Sequence, residues 1–258
     1  MGNAFTFYQQ VVSRGLATSA LHHVAAEAYY EDFELDKSIQ AYEYAIASKP
    51  NWHAAYNDFG LLYRSMGEYD KAIPLIELAI EKSEYNVFKA FCTNNLGVLY
   101  RDLAQYEDAE QKALEAINLN PKALLPHISL GHTWALTGRL SEAIQQYQIA
   151  LNENPNFLAD IVFLPLTIHV SLDACYKKNN NFSACNEHMK KAQALLNSKD
   201  DYSSASFYSV QGEFDIAIDI LRDLLDKKII SRKQMVNDPN LEFMNDFPPF
   251  LQLLQSNT

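Results

Sequence analysis

The side chains with the strongest recognition chemistry are two arginines, Arg64 and Arg101, each preceded by a tyrosine, and three asparagines, Asn57, Asn94 and Asn95. A guanidinium presents a rigid fork of donors that matches a carboxylate through two hydrogen bonds. An asparagine amide offers a donor and an acceptor together, which suits the backbone of an extended peptide. Both chemistries hold a ligand; neither breaks a bond. No glycine-rich phosphate loop, Gly-x-Ser-x-Gly elbow, His-Glu-x-x-His or Cys-x-x-Cys occurs. His22 and His23 are adjacent, so on a helix they point in different directions and make a poor metal pair. Neighbouring carboxylates such as Glu107 and Asp108 fit the solvated face of a helix. The chain is therefore read as not an enzyme, with no catalytic residue, no cofactor and no metal ligand.

Composition narrows the partners. The formal net charge is −11, which disfavours nucleic acid, because that partner needs a basic surface to release counterions. No run of 18 apolar residues occurs, so no transmembrane segment is expected. The N-terminus lacks a basic stretch followed by an apolar core, so no secretory signal is read. Three cysteines, Cys92, Cys175 and Cys185, suit a reducing compartment, and a cytoplasmic location is expected.

The elements that must position these side chains are helical. Residues 90–121 read as two helices and a turn. Leu96, Gly97 and Tyr100 share one face of the first helix; Tyr106, Ala109, Ala113 and Ala116 share one face of the second, which Pro121 ends. Gly97 and Ala109 leave room for two backbones to approach. The pattern recurs: 59–72 and 130–143 align with 96–109, Gly60 to Gly97 spans 37 residues, and Gly97 to Gly131 spans 34.

Phe59-Gly60-Tyr63-Gly67-Tyr69-Ala72-Ala79, then Leu96-Gly97-Tyr100-Tyr106-Ala109-Ala116-Pro121, then Leu130-Gly131-Trp134-Gly138-Ala143-Ala150-Pro155 resemble the tetratricopeptide repeat (TPR), a helix–turn–helix unit of 34 residues. Weaker units surround them. The resemblance implies an all-α, right-handed superhelical solenoid of about six units, 19–52, 53–89, 90–123, 124–165, 166–197 and 198–229, with residues 1–18 as an N-terminal cap. Residues 230–258, with Asp238-Pro239-Asn240-Leu241 and Phe250-Leu251-x-Leu253-Leu254, resemble the segment that ends many bacterial arrays of this class, and a bacterial source is expected. Gly2 and Thr6 fit a myristoylation pattern, but the bland reading of an ordinary chain start is preferred.

In this family the first helices line a concave groove. Carried over unit by unit, the groove positions include Asn57, Asp58 and Arg64, then Asn94, Asn95 and Arg101, then His132. The resemblance thus implies a non-catalytic adaptor that binds a peptide or helix of another protein there, with homo-oligomerisation left open. The alternative is a structural or assembly subunit that self-associates or docks through convex or terminal surfaces. Arg64 and Arg101 have a competing use, pairing with Asp58, Asp102 or Glu68 to hold adjacent units together. The lysine-rich clamp for acidic chaperone tails is not expected, since Leu61, Val98, Leu125 and Ser129 stand at its positions. A basic island, Lys177, Lys178, Lys190, Lys191 and Lys199, is read as a solvated helix face or a contact for an acidic segment.

Overall fold

The computed structural model describes Tyr8, residues 10–15, 17–153, 163–196 and 201–255. Gly2 lies outside the described residues. Six antiparallel helical pairs stack into a right-handed superhelix: α1 (Ser19–Glu31) with α2 (Leu35–Ser48), α3 (His53–Ser65) with α4 (Tyr69–Lys82), α5 (Asn86–Asp102) with α6 (Tyr106–Leu119), α7 (Leu124–Leu136) with α8 (Leu140–Glu153), α9 (Phe163–Lys178) with α10 (Phe182–Leu195), and α11 (Tyr202–Gln211) with α12 (Phe214–Asp226). Among the described residues every regular element is helical, and no helix is long and apolar enough to cross a membrane.

One turn design closes all six pairs. A residue with positive φ follows the first helix: Phe33, Gly67, Ala104, Gly138, Asn180 and Gly212. Its amide reaches back three residues and the next amide reaches back five, as Ala104 N–H does to the Arg101 carbonyl and Gln105 N–H to that of Tyr100. These bonds satisfy carbonyls that the helix end leaves open.

Small residues set the distance within each pair. A methyl added at Gly131 would lie 2.5 Å from the Tyr147 ring, and one at Gly97 only 3.2 Å from the Ala109 carbonyl. Ala45, Ala72, Ala79, Ala116, Ala143 and Ala150 are all fully buried at the same seams. The longer repeat keeps α4 at the common 14 residues and lengthens α5 to 17.

After α12 the chain turns at Lys228, whose φ is positive, and enters a short helix, α13 (Arg232–Val236), capped by Ser231 and Gln234. Residues 237–241 follow, then a single 3-10 turn (Glu242–Met244) and α14 (Pro248–Gln255). Met235, Leu241, Met244, Phe250 and Leu253 pack on Ile218, Leu221 and Leu224 of α12 and cover the apolar face that the last pair would expose.

Candidate partner-binding face

The first helices α1, α3, α5, α7, α9 and α11 line the inner face, and α5 touches α3 and α7 directly. Two strings of polar contacts run across them. In the first, Asn95 Nδ2 donates to Asn57 Oδ1 at 2.9 Å, Asn57 Nδ2 donates to Asp58 Oδ1 at 2.9 Å, and Asp58 Oδ2 lies 2.8 Å from His23 Nε2. This string ties α5 to α3 and α3 to α1. The hydrogen bond to Asp58 raises the His23 pKa, against the effect of burial.

The second string is built on charge. Arg64 Nε donates to Asp102 Oδ2 at 2.7 Å, Tyr69 O–H donates to the same oxygen at 3.1 Å, and Arg101 Nη2 lies 3.7 Å from Asp102 Oδ1. The Asp102 side chain is fully buried. Burial disfavours the Arg64 charge, but the neighbouring carboxylate outweighs it and holds the guanidinium protonated. Arg101 Nη1 donates to His132 Nδ1 at 3.4 Å, and His132 Nε2 lies 3.1 Å from Ser171 Oγ. Burial, and then the Arg101 charge, lower the His132 pKa to about 3. The imidazole is therefore neutral, accepts at Nδ1 and donates from Nε2 to the serine.

The residues singled out from the sequence thus come together in two groups. Asn57, Asp58 and Asn95 belong to the first string; Arg64, Arg101 and His132 belong to the second. Asn94 is buried, and its Oδ1 has no hydrogen-bond partner. The pairing of Arg64 with Asp102 is the inter-unit bond that the sequence offered as the competing use. Asp102, one of the three carboxylates that the sequence offered to these arginines, is the hub and closes a helix.

Residues 231–242 of the same chain close over this string. Ser231 Oγ lies 2.8 Å from Tyr69 O–H, Tyr106 O–H donates to Asn237 Oδ1 at 2.8 Å, and Asn237 Nδ2 donates to the Asp102 carbonyl at 2.9 Å. Asn240 Nδ2 donates to Ser171 Oγ at 3.0 Å, and its carbonyl accepts from Ser209. Lys178, from the basic island, donates to the Pro239 carbonyl and pairs with Glu242. Burial raises the pKa of the Asp238 carboxyl.

The other edge of the inner face is open and apolar. Tyr85 and Val87 are about two-thirds exposed, and Phe91 is 37% exposed. A cleft of about 310 Å³ lies between α5 and the start of α7, lined by Val87, Phe91, Leu124, Leu125 and Pro126. His23, Glu27 and Asp58 place ligand atoms within 4.8 Å of one another, a grouping absent from the sequence reading because Asp58 comes from a different helix. Cys175 and Cys185 are free and buried, and burial raises their thiol pKa values to about 12 and about 11.

Two family models, both described as Tetratricopeptide repeat, match residues 53–122 and 94–156. Two human proteins, the protein O-mannosyl-transferases TMTC2 and TMTC1, are 28% identical over 109 and 143 residues, which is 42% and 55% of this chain. Those stretches are only 13% and 15% of the relatives, so the chain spans less than a sixth of their length. Among solved structures, a chain of the APC/C hetero-tetramer Cut9–Hcn1 matches 98% of this chain and 46% of its own, with a TM-score of 0.67 and 15% identity. PilF of Pseudomonas aeruginosa matches 91% of this chain and 96% of its own, with a TM-score of 0.59 and 14% identity. PilW, a type IV pilus biogenesis factor, matches 76% and 86%, with a TM-score of 0.59 and 19% identity. At these identities the likeness is one of fold.

Proposed function

We propose that this chain, which carries tetratricopeptide repeats over residues 53–156, is a non-catalytic protein-interaction module that holds a peptide or helix of another protein on its inner face. The observation that carries the reading is the exposed pair Val87 and Phe91 beside the cleft at Leu125. Aromatic and aliphatic side chains left in water at the mouth of a cleft favour an apolar anchor of a partner. Asn57, Asp58, Asn95, Arg64, Arg101 and His132 form the wall behind these contacts and fix the spacing of the helices that present them.

The test places a photo-crosslinking phenylalanine analogue at Phe91 and, separately, at Ile149, an exposed position on α8. A partner protein crosslinked from position 91, and lost when Leu125→Asp is added, supports the reading. The same protein crosslinked only from position 149 overturns it. Docking through outer surfaces has one observation in its favour: Arg64 and Arg101 are already engaged within the chain.

A further inference from the structure

Residues 231–242 lie along the inner face as a bound segment would. Their amides, carbonyls and carboxylate meet Tyr106, Asp102, Ser171 and Lys178. Their apolar residues do not point that way. Met235 and Leu241 pack into the cluster formed by α11, α12 and α14, which shares no member with the cluster built by α1 to α5. The segment reaches α4, α5 and α6 through hydrogen bonds and through the Lys233 ammonium over the Tyr69 ring. Polar contacts of this kind exchange for equivalent ones at small net cost, whereas a buried apolar contact has no substitute in water. The fit is also incomplete: Arg101 Nε and Asp102 Oδ1 are buried without hydrogen-bond partners. A different occupant can satisfy groups that the chain's own segment leaves open.

Resting on the reading that this face holds protein, we propose that residues 231–242 are a displaceable occupant of the inner face. The partner that replaces them is a segment that turns as residues 237–242 do, with an amide side chain, a second amide three residues on and a carboxylate two further, in the order of Asn237, Asn240 and Glu242. The first amide bridges the Tyr106 hydroxyl and the Asp102 carbonyl. The second donates to Ser171. The carboxylate pairs with Lys178, which assigns one lysine of the basic island to partner recognition.

A fluorescein-labelled peptide of residues 230–245 is the probe, read by fluorescence polarisation against the full chain. In Asn237→Ala/Asn240→Ala the internal segment loses its anchors while the receiving residues stay intact. The variant is expected to bind the probe about tenfold more tightly than wild type, and a probe carrying the same two alanines is expected to bind neither. Amide exchange over 236–244 should be faster in the variant. Faster exchange without probe binding overturns the proposal, as does unchanged exchange. If the double variant does not fold, Glu242→Gln replaces it, with the same two readouts and a smaller expected gain. Failure here leaves the Phe91 crosslinking result standing, because that experiment reads the opposite edge of the face.

Discussion

At the scale of single residues, the inner face holds titratable groups away from water with fixed protonation. His132 is the clearest case. Its imidazole receives a hydrogen bond from Arg101 on α5, faces the Tyr147 ring on α8 and reaches Ser171 on α9. Its folded pKa of about 3 lies below the ordinary 6.5, so the unfolded chain binds more protons between those values. Stability from this group is complete above pH 6.5 and is lost as pH falls towards 3. His169, lowered to about 4 by burial and then by His188, acts in the same direction. His23 acts in the opposite one: its raised pKa gives stability below 6.5 that is lost as pH rises through the folded value. The net expectation is a melting temperature that falls on acidification below pH 6.5. His132→Asn should remove on the order of 2 kcal/mol of that dependence between pH 6.5 and 4.5. Calorimetry at the two pH values reads it directly, and an undiminished slope in the variant would show that the acid sensitivity lies elsewhere.

At the scale of the element, the six inter-helix turns share one geometry but not one residue type. Gly67, Gly138 and Gly212 stand out in the sequence because glycine alone enters positive φ without crowding Cβ. Phe33, Ala104 and Asn180 occupy the same place and leave no such mark. The helical pairs were nevertheless legible, since glycine, alanine and tyrosine recur at offsets fixed by close helix packing. The turn within residues 90–121 was readable from the offsets alone. The inner-face contacts were not: Tyr69 meets Ser231 from 162 residues away, and no local periodicity encodes such a bond. Nor does periodicity reveal that a helix-ending aspartate collects two arginines. The turn geometry makes a paired prediction. Ala104→Gly relieves a crowded Cβ and should stabilise by about 0.5–1 kcal/mol, after glycine's greater freedom in the unfolded chain is subtracted. Gly138→Ala meets no atom within 4 Å, so only its φ of 79° opposes the methyl, and it should destabilise by about 1 kcal/mol. Urea midpoints that shift in opposite directions at constant slope support the shared turn; shifts of the same sign contradict it.

At the scale of the whole molecule, stability is distributed along the stack, because each pair buries its apolar face on its neighbours. The buried side chains separate accordingly, with Tyr29, Phe59 and Ile76 in the cluster at the start of the array and Leu221, Met244 and Phe250 in the one that ends it. A defect at one end should therefore loosen that end first. Phe250 is the place to make it, since its side chain is fully buried and belongs to the covering helix α14 rather than to a repeat. Phe250→Ala removes a large ring from a packed site and should cost about 3–5 kcal/mol locally. Native-state hydrogen exchange should then show α11, α12 and α14 opening at a lower free energy while α3 to α6 keep wild-type protection. Residues 231–242 join these two regions through side-chain hydrogen bonds to Tyr69, Asp102 and Tyr106. If those bonds couple the ends strongly, protection in α4 and α5 falls with that of α12, and residues 231–242 act as a rigid brace. If protection in α4 and α5 is unchanged, the ends are energetically separate. The hydrogen bonds can then be exchanged for a partner's without unfolding the array, as a displaceable occupant requires.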